Sequence, residues 1–222
     1  SLGKTALANS FLKKKDFKQE KFFPLRAGVC RSCKLVQLMD VVDKKHLFSS
    51  YVYFFSAMPA ASSHFGDYAD SVIKRFIKNT EKDLVVEIGS NDGLLLKLFQ
   101  TKGCKNVLGV DPAKNIAKFA NQNGVPTIAD FFNQKLAKKI LQKEGPAKAI
   151  IGNNVVAHID DWDDLARGVG ILLDDKGAFI FEAPYLIDMF ENLSYDTIYH
   201  EHLSYLSVTP LVKFFKRHKM DV

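Results

Sequence analysis

Residues 84–93, with the sequence LVVEIGSNDG, decide the fold of this chain. The apolar run before the first glycine predicts a short buried strand, in which Glu87 is the one charged residue. Gly89 and Gly93 follow at once, where the backbone must turn tightly and a ligand can approach it. The apolar spacing of residues 91–103 then indicates a helix. A strand that turns into a helix in this way predicts the first unit of an α/β domain.

The strand and helix pattern repeats toward the C-terminus. Further strands are predicted at residues 106–111, 125–130, 147–154 and 177–184, and helices at 112–124, 134–145 and 162–173. The helix at 112–124 has clear signals at both ends, since it opens on proline and closes on Asn-Gly. Repeated units of this length imply a parallel sheet with helices on both faces. The predicted fold is therefore a doubly wound, Rossmann-like α/β domain.

Three regions differ in their sequence pattern, and the domain boundaries are drawn from them. Residues 1–46 are irregular and contain a CxxC pair, residues 47–80 read as a helical linker rich in aromatics, and residues 81–222 form the α/β domain. The last residues, 220–222, resemble the start of another strand. We therefore expect the chain to be truncated at both ends.

Composition excludes several classes of protein. The 222 residues are 47% hydrophobic and 25% charged, which is typical of a globular protein and not of a disordered one. No apolar run approaches the roughly 18 residues that cross a bilayer, and the first residues lack the pattern of a signal peptide. The sequence therefore predicts a cytoplasmic protein with no membrane partner.

The formal net charge is +6. Basic residues are concentrated near both ends of the chain: Lys13, Lys14, Lys15, Lys18, Lys21, Lys213, Lys216, Arg217 and Lys219. They form either a solvated basic face or a surface that attracts an anionic substrate. Nucleic acid is not favoured, because the basic runs are not interleaved with aromatic residues.

The glycine turn differs from a dinucleotide-binding fingerprint. In GxGxxG, the second and third glycines would stand where this chain has Asn91 and Leu94, which weakens a nicotinamide interpretation. The pattern is ExGxxxG, formed by Glu87, Gly89 and Gly93, and it resembles the first motif of class I S-adenosylmethionine-dependent methyltransferases. That cofactor carries a ribose and an amino-acid end, and it has no pyrophosphate.

Polar residues at the ends of later strands complete the cofactor prediction. Asp111 ends the second strand, where a carboxylate can accept hydrogen bonds from both ribose hydroxyls, although it would do so in a dehydrogenase as well. The resemblance implies that Asp130 meets the adenine amino group beside an aromatic ring; the alternative is a loop aspartate before core phenylalanines. The predicted cofactor residues are Glu87, Gly89, Ser90, Asn91, Gly93, Asp111, Pro112, Asp130, Phe131, Asn153 and Asn154.

The chain has three cysteines, an odd number that does not suggest a disulfide framework. Cys30 and Cys33 form a CxxC, which is half of a tetrahedral zinc site because zinc takes four ligands. A redox motif and a chance pair are the alternatives. Cys104 follows a glycine at a predicted helix end and is interpreted as packing.

Four stretches together carry a closer resemblance: VCRSCKLVQL, YVYFFSAMPAASSHF, NNVVAHIDD and YHEHLSYLS. In this order, around the methyltransferase core, they are similar to the nucleotide-sugar C-methyltransferases that build branched-chain deoxysugars. In that family a zinc module, usually with two CxxC pairs, precedes the methyltransferase domain, and another α/β region follows it. The resemblance implies that Cys30 and Cys33 ligate structural zinc in the full-length protein.

The resemblance also implies a set of catalytic residues. Methylation at carbon needs an enolate, so a base must remove the proton beside a ketosugar carbonyl, and histidine is suited to that step. Tyrosine hydroxyls or a second histidine can stabilise the enolate oxygen. The residues that match the family's ketosugar site are Tyr53, His158, Tyr199, Glu201 and His202, with His202 as the base.

Simpler interpretations stay open for these residues. His158 can cap the following helix, and Tyr53 can be a core aromatic. If the YHEH stretch is extended, its two histidines share one face and could ligate a metal; otherwise His200 has a structural role. Glu182 and Tyr185, which end the fifth strand, are candidates for the same crevice.

The sequence thus predicts a methyltransferase that acts on a nucleotide-linked ketosugar. An O- or N-methyltransferase on another small metabolite and a non-catalytic module that binds cofactor or zinc are the competing hypotheses, and a dehydrogenase comes last. The oligomeric state and the identity of the sugar are not encoded in these patterns.

Overall fold

The computed structural model describes residues 1–48, 54–57 and 59–222. Strands in these ranges are β1 Lys4–Thr5, β2 Phe23–Pro24, β3 Ala27–Val29, β4 Val36–Leu38, β5 Leu84–Ile88, β6 Val107–Val110, β7 Thr127–Ile128, β8 Ala147–Ile151, β9 Leu173–Ile180 and β10 Ser204–Tyr205. Helices in the same ranges are α1 Lys44–Phe48, α2 Pro59–Phe76, α3 Leu94–Thr101, α4 Lys114–Gln122, α5 Gln134–Glu144, α6 Trp162–Leu172, α7 Leu186–Glu191 and α8 Val208–Arg217. In the described part of the chain, no helix has the length and apolarity that a membrane span requires.

Five parallel strands form the central sheet in the order β7-β6-β5-β8-β9. Strand β5 lies in the middle, where Val86 pairs with Leu108 on one side and with Ile150 on the other. The chain first runs outward through β6 and β7 and then crosses to β8 and β9. This reversal of direction beside β5 confirms the predicted doubly wound fold and marks the edge of the sheet where ligands bind.

Strand β5 is buried along its whole length, as a strand covered on both faces must be. Helix α3 packs on α2, and Leu96, Phe99 and Val72 from these helices are almost fully buried. Burying one such side chain stabilises the fold by about 1.5–3 kcal/mol relative to leaving it in water. The glycine turn therefore starts from a rigid, well-packed strand.

The observed strand bounds differ from the predicted ones most clearly at β7, which is shorter, and at β9, which is shifted along the chain. Strand β7 is confined to Thr127–Ile128, which pair with Gly109 and Val110 of β6. Strand β9 begins at Leu173, four residues earlier than predicted, since Leu173 already pairs with Ala147. Residues 220–222 follow α8 and are not assigned to a strand.

The two glycines of the turn are required by contacts inside the chain. Gly89 and Gly93 have φ angles of 67° and 83°, which disfavour any residue with a side chain. A Cβ on Gly89 would lie 2.7 Å from Val155, and one on Gly93 would lie 2.9 Å from Val125. Close packing against these valines therefore explains both glycines without a ligand.

The chain divides into two compact units, and each draws on separate stretches of sequence. The first contains Ser1–Leu47, Val156–Asp160 and Ala183–Val222, and the second contains Phe48–Val155 and Asp161–Glu182. The boundaries predicted from the sequence follow the chain in order, whereas the contacts of the first unit join its two ends. The central parallel sheet belongs to the second unit.

Within the first unit, β4 lies between β3 and β10 in an antiparallel sheet. Gln37 pairs with Ser204, and the amide of Leu38 donates to the carbonyl of Leu203 at 2.9 Å. An apolar cluster supports this sheet: Leu25, Leu38, Leu186, Met189, Leu203 and Tyr205. The segment that contains YHEH is thereby fixed on the strands of the N-terminal residues.

Candidate active site

Glu87 is a buried carboxyl group at the centre of the parallel sheet. Its side chain is 2% exposed, and its Oε2 has no hydrogen-bond partner among the described residues. Burial, together with the charges of Asp111 and Asp92, raises the pKa of Glu87 well above its usual value. A buried polar atom without a partner is costly, so this group is a candidate for contact with a ligand.

Asp111 follows β6 and is also buried. Its Oδ2 accepts a hydrogen bond from the amide of Asn91 at 2.9 Å, and its Oδ1 accepts one from the amide of Ala113 at 2.9 Å. Burial nevertheless raises the pKa of Asp111. Each carboxylate oxygen has a second lone pair, so Asp111 can accept further hydrogen bonds from two hydroxyl groups.

Two side chains between the glycines of the turn accept hydrogen bonds from the main chain of residues 55–56. Asn91 Oδ1 accepts a hydrogen bond from the amide of Phe55 at 3.1 Å, and Asp92 Oδ2 accepts one from the amide of Ser56 at 2.8 Å. Asp92 is 4% exposed and was not among the predicted site residues. A sequence signal for it existed, since Asp92 stands between the predicted site residues Asn91 and Gly93.

The end of β8 is joined to Glu182, which follows β9. Asn153 Oδ1 accepts a hydrogen bond from the amide of Glu182 at 3.0 Å, and the amide of Asn154 donates to the carbonyl of Glu182 at 2.8 Å. Asn153 is buried, whereas Asn154 is exposed and has a left-handed backbone with φ of 52°. The loops after these two strands are therefore connected at the edge of the sheet.

The other predicted cofactor residues lie at the same edge. The Ser90 hydroxyl is buried without a hydrogen-bond partner among the described residues, and Pro112 is half-buried. Asp130 is exposed, and its Oδ1 accepts a hydrogen bond from the amide of Phe131 at 2.8 Å. The structure thus places the predicted set at the ends of β5, β6, β7 and β8.

These residues fit S-adenosylmethionine in their chemistry. Glu87 Oε2 and the Ser90 hydroxyl are buried polar atoms without partners in the described residues, and Asp111 keeps free lone pairs. A ligand with ribose hydroxyls and a charged amino-acid end offers partners for such groups. The site is polar at the carboxyl ends of parallel strands, where ligands bind in this type of fold.

A second group of polar side chains lies in the first unit, where Tyr199, His202 and His158 meet. The Tyr199 hydroxyl is 2.9 Å from His202 Nε2, and His202 Nδ1 is 2.9 Å from the carbonyl oxygen of Thr197. A carbonyl only accepts hydrogen bonds, so Nδ1 carries the proton. In the neutral ring Nε2 is therefore unprotonated and accepts the hydrogen bond of Tyr199.

The two histidines of this group are held in the neutral form. Their ring centroids are 4.9 Å apart in an edge arrangement. Burial, and to a lesser degree the nearby His202, lowers the pKa of His158 to about 3. Burial also lowers the pKa of His202, although the carbonyl of Thr197 acts in the opposite direction. A neutral imidazole with an unprotonated nitrogen is a suitable general base at neutral pH.

The other residues of YHEH are buried in different surroundings. Glu201 is 2% exposed, and its Oε1 accepts a hydrogen bond from the Asn9 side chain at 2.8 Å. His200 is 1% exposed; its Nε2 donates to the carbonyl of Pro24 at 3.1 Å, and its ring packs edge-on against Phe23. These contacts give His200 the structural surroundings that the sequence interpretation assigned to it.

The YHEH stretch forms a turn rather than an extended strand. The amide of His202 donates to the carbonyl of Tyr199 at 3.0 Å, which closes the turn. His200 and His202 have different partners and do not form a shared site. Across residues 1–48, 54–57 and 59–222, no group of three or more His, Cys, Asp or Glu side chains could hold a metal ion.

Two predictions concern the region before α2. Tyr53, a predicted catalytic residue, lies outside the described residues. Cys30 and Cys33 lie between β3 and β4, where the amide of Cys30 donates to the carbonyl of Leu35 at 2.8 Å and the amide of Lys34 donates to the carbonyl of Cys30 at 2.9 Å. Both thiols are free and half-buried. A CxxC pair can supply two of the four ligands that a structural zinc takes.

Comparison with known families matches both parts of the chain. The profile of a family described as a methyltransferase domain matches residues 61–219, and that of a zinc binding domain matches residues 1–48. A curated relative, C-methyltransferase NovU of Streptomyces niveus, is 40% identical over 223 residues. The match covers 100% of this chain and 53% of that protein, so the chain spans about half the length of this relative.

Solved structures show the same fold. A methyltransferase of Thermotoga maritima that depends on S-adenosylmethionine has a TM-score of 0.52 and 14% identity, over 71% of this chain and 70% of that one. A methyltransferase solved with the Haloferax volcanii Trm112 activator has a TM-score of 0.54 and 15% identity, over 77% and 78%. At these identities the similarity concerns the fold alone.

The fold and the family match define an S-adenosylmethionine-dependent methyltransferase domain. The chain belongs to the methyltransferase domain family, whose profile matches most of its length. The cofactor class predicted from the ExGxxxG turn is thereby confirmed at the level of the family.

Proposed function

We propose that the protein transfers a methyl group to carbon in a nucleotide-linked ketosugar, with His202 as the general base. The observation that carries the proposal is the unprotonated Nε2 of His202, which is fixed by the bond from Nδ1 to Thr197 and lies against the Tyr199 hydroxyl. The similarity to a relative named as a C-methyltransferase supports carbon as the acceptor. The proposal retains the cytoplasmic location predicted from the sequence.

The residues proposed to hold the cofactor are those at the ends of the parallel strands. Asp111 would accept hydrogen bonds from the ribose hydroxyls of the cofactor, and Asp130 would contact its adenine. Glu87 and Ser90 would bind the remaining polar groups of the cofactor. S-adenosylmethionine, when bound, supplies an electrophilic methyl group. The buried surroundings of Glu87, Ser90 and Asp111 strengthen each hydrogen bond that these three side chains make.

The proposed role of the polar cluster is to generate the carbon nucleophile. His202 Nε2 takes the proton beside the sugar carbonyl, and the electron pair of the broken C–H bond moves into the enolate. The Tyr199 hydroxyl, released from Nε2, donates a hydrogen bond to the enolate oxygen, and the neutral ring of His158 packs edge-on against the ring of His202. Glu201 has a supporting role through its bond with Asn9.

The decisive experiment incubates the purified protein with S-adenosylmethionine and a panel of nucleotide-linked ketohexoses. The expected product carries a new methyl group on a ring carbon, and NMR spectroscopy locates it. A methyl group on oxygen or nitrogen would replace the proposal by O- or N-methyl transfer. Cofactor binding without any methylated product would instead indicate a non-catalytic module.

We further propose that Cys30 and Cys33 are zinc ligands in the protein that contains this chain. The match of residues 1–48 to a zinc binding domain supports this role, and other ligands must complete the tetrahedral site. Elemental analysis of the purified wild-type protein is expected to show bound zinc. Replacing both cysteines by serine is expected to abolish this zinc content. The Cys104→Ser variant is the control, because Cys104 is 1% exposed in the core. Unchanged zinc in the double variant would contradict the assignment.

A further inference from the structure

His64 and Glu182 form a polar pair whose side chains have no role in the function proposed above. His64 is in α2, and its Nε2 lies 3.0 Å from Oε1 and 2.9 Å from Oε2 of Glu182. An ionised carboxylate only accepts hydrogen bonds, so Nε2 carries the proton and shares it between both oxygens. The imidazole thereby fixes the orientation of the carboxylate.

Glu182 is anchored by its main chain as well as by its side chain. Its amide donates to the side chain of Asn153 and its carbonyl accepts from the amide of Asn154, and both asparagines follow β8. The carboxylate is therefore held at the ligand-binding edge of the parallel sheet from two directions. Changes to the side chain of Glu182 leave these main-chain hydrogen bonds intact.

Stability does not explain the pair. The side chains of His64 and Glu182 are 58% and 35% exposed. Exposed ion pairs contribute about 0–1 kcal/mol, because water and salt screen them. An anchored carboxylate with oxygen lone pairs open to solvent is instead suited to bind a positively charged group of a ligand.

The order of the strands indicates which part of the cofactor lies near the Glu182 carboxylate. The proposed contacts with ribose and adenine are at the ends of β6 and β7, on one side of β5. Strands β8 and β9 lie on the other side, and neighbouring strands are about 4.8 Å apart. The ribose separates adenine from the amino-acid end of S-adenosylmethionine. A cofactor laid along this edge therefore extends its amino-acid end toward β8 and β9.

We propose that Glu182 binds the α-ammonium group of the cofactor's amino-acid end, and that His64 is the positioning residue that orients the Glu182 carboxylate. This inference rests on the proposed cofactor. The ammonium group has three N–H donors, and the Glu182 oxygens keep lone pairs that are not used by His64.

The test measures the affinity of the purified protein for two ligands by calorimetry. S-adenosylhomocysteine has the amino-acid end, whereas 5′-methylthioadenosine lacks it. Glu182→Gln is expected to lower the affinity for S-adenosylhomocysteine about tenfold or more, and His64→Gln is expected to lower it several-fold. The affinity for 5′-methylthioadenosine should stay unchanged in both variants. Asp70→Asn is the control, since Asp70 lies in the same helix and forms an exposed pair with Lys102.

The outcomes separate this inference from the proposed function. If both variants lose affinity equally for the two ligands, the pair only stabilises the edge of the sheet. If the affinities do not change, the pair does not contact the cofactor. Either result overturns the inference and leaves the cofactor assignment intact. If the wild-type protein binds neither ligand, the proposed function fails first and the inference fails with it.

Discussion

Replacing His202 by Gln is expected to lower turnover by about a thousandfold, because a positioned general base contributes about 10²–10⁴ to the rate. The substitution removes the imidazole nitrogen that accepts the hydrogen bond of Tyr199. The affinity for S-adenosylhomocysteine should stay unchanged, since the proposed cofactor residues lie at the ends of the parallel strands. Single-turnover kinetics and calorimetry on the same preparation measure both quantities.

His200→Gln provides the matched control for this substitution. The two histidines belong to the same turn, but His200 is buried against Phe23 and the carbonyl of Pro24. We expect the control variant to lose stability through its altered buried contact and to keep the wild-type turnover number when folded. Equal loss of turnover in both variants would mean that the turn needs its histidines for structure, and His202 would lose its role as the base.

The pH profile tests the same assignment independently. Burial lowers the pKa of His202 below its usual value of 6.5, so the ring stays neutral to a lower pH than a free histidine does. A general base acts in its neutral form, and kcat/KM should therefore stay level through pH 6.5 and decline only at more acidic pH. An acid limb centred above pH 6.5 would point to a different base.

Replacing Asp111 by Asn is expected to weaken S-adenosylhomocysteine binding by about a hundredfold. Both carboxylate oxygens accept backbone hydrogen bonds, from Asn91 and Ala113. An amide would place an NH₂ group against one of these donors and would also lose an acceptor for a ribose hydroxyl. Hydrogen bonds to charged groups contribute about 1.5–3 kcal/mol each, so the two effects together reach this magnitude.

Asp83→Asn is the control for this prediction. The Oδ2 of Asp83 also accepts two backbone hydrogen bonds, from the amides of Lys78 and Asn79, but Asp83 precedes β5 at the opposite end of the strand. We expect a small loss of thermal stability and wild-type affinity for the ligand. If Asp111→Asn binds as tightly as the wild type, the ribose contact is not made by Asp111.

The sequence predicted those features that depend on local pattern. The apolar run at residues 84–88 and the glycines after it placed the first strand and turn correctly, because a strand buried on both faces must be apolar. Asp111 was predicted to lie at the ligand-binding edge because it directly follows an apolar run, and ends of parallel strands meet at one edge of a sheet. Repetition of this pattern was sufficient to predict a doubly wound parallel sheet, but not the order of its strands.

Features that depend on distant contacts could not be predicted in the same way. Nothing local in the sequence distinguishes Glu182 as the partner of His64, since the pairing requires the end of β9 to lie beside α2. The tautomer of His202 depends on its hydrogen bond to the backbone carbonyl of Thr197. Any residue has such a carbonyl, so the identity of residue 197 gives no sequence signal for this bond. The buried carboxylate of Asp92 was overlooked because its partner is a backbone amide at residue 56.

The first unit has a consequence for how the chain can reach its native state. Asn9 bonds to a residue 192 positions away, and Pro24 to one 176 positions away, while β4 takes β10 as a neighbour. Contacts this distant form late, because a long loop must close before they stabilise anything. A ribosome would expose the N-terminal strands well before their partners exist. A protein cut after residue 48 would therefore lack the strand that completes its small sheet.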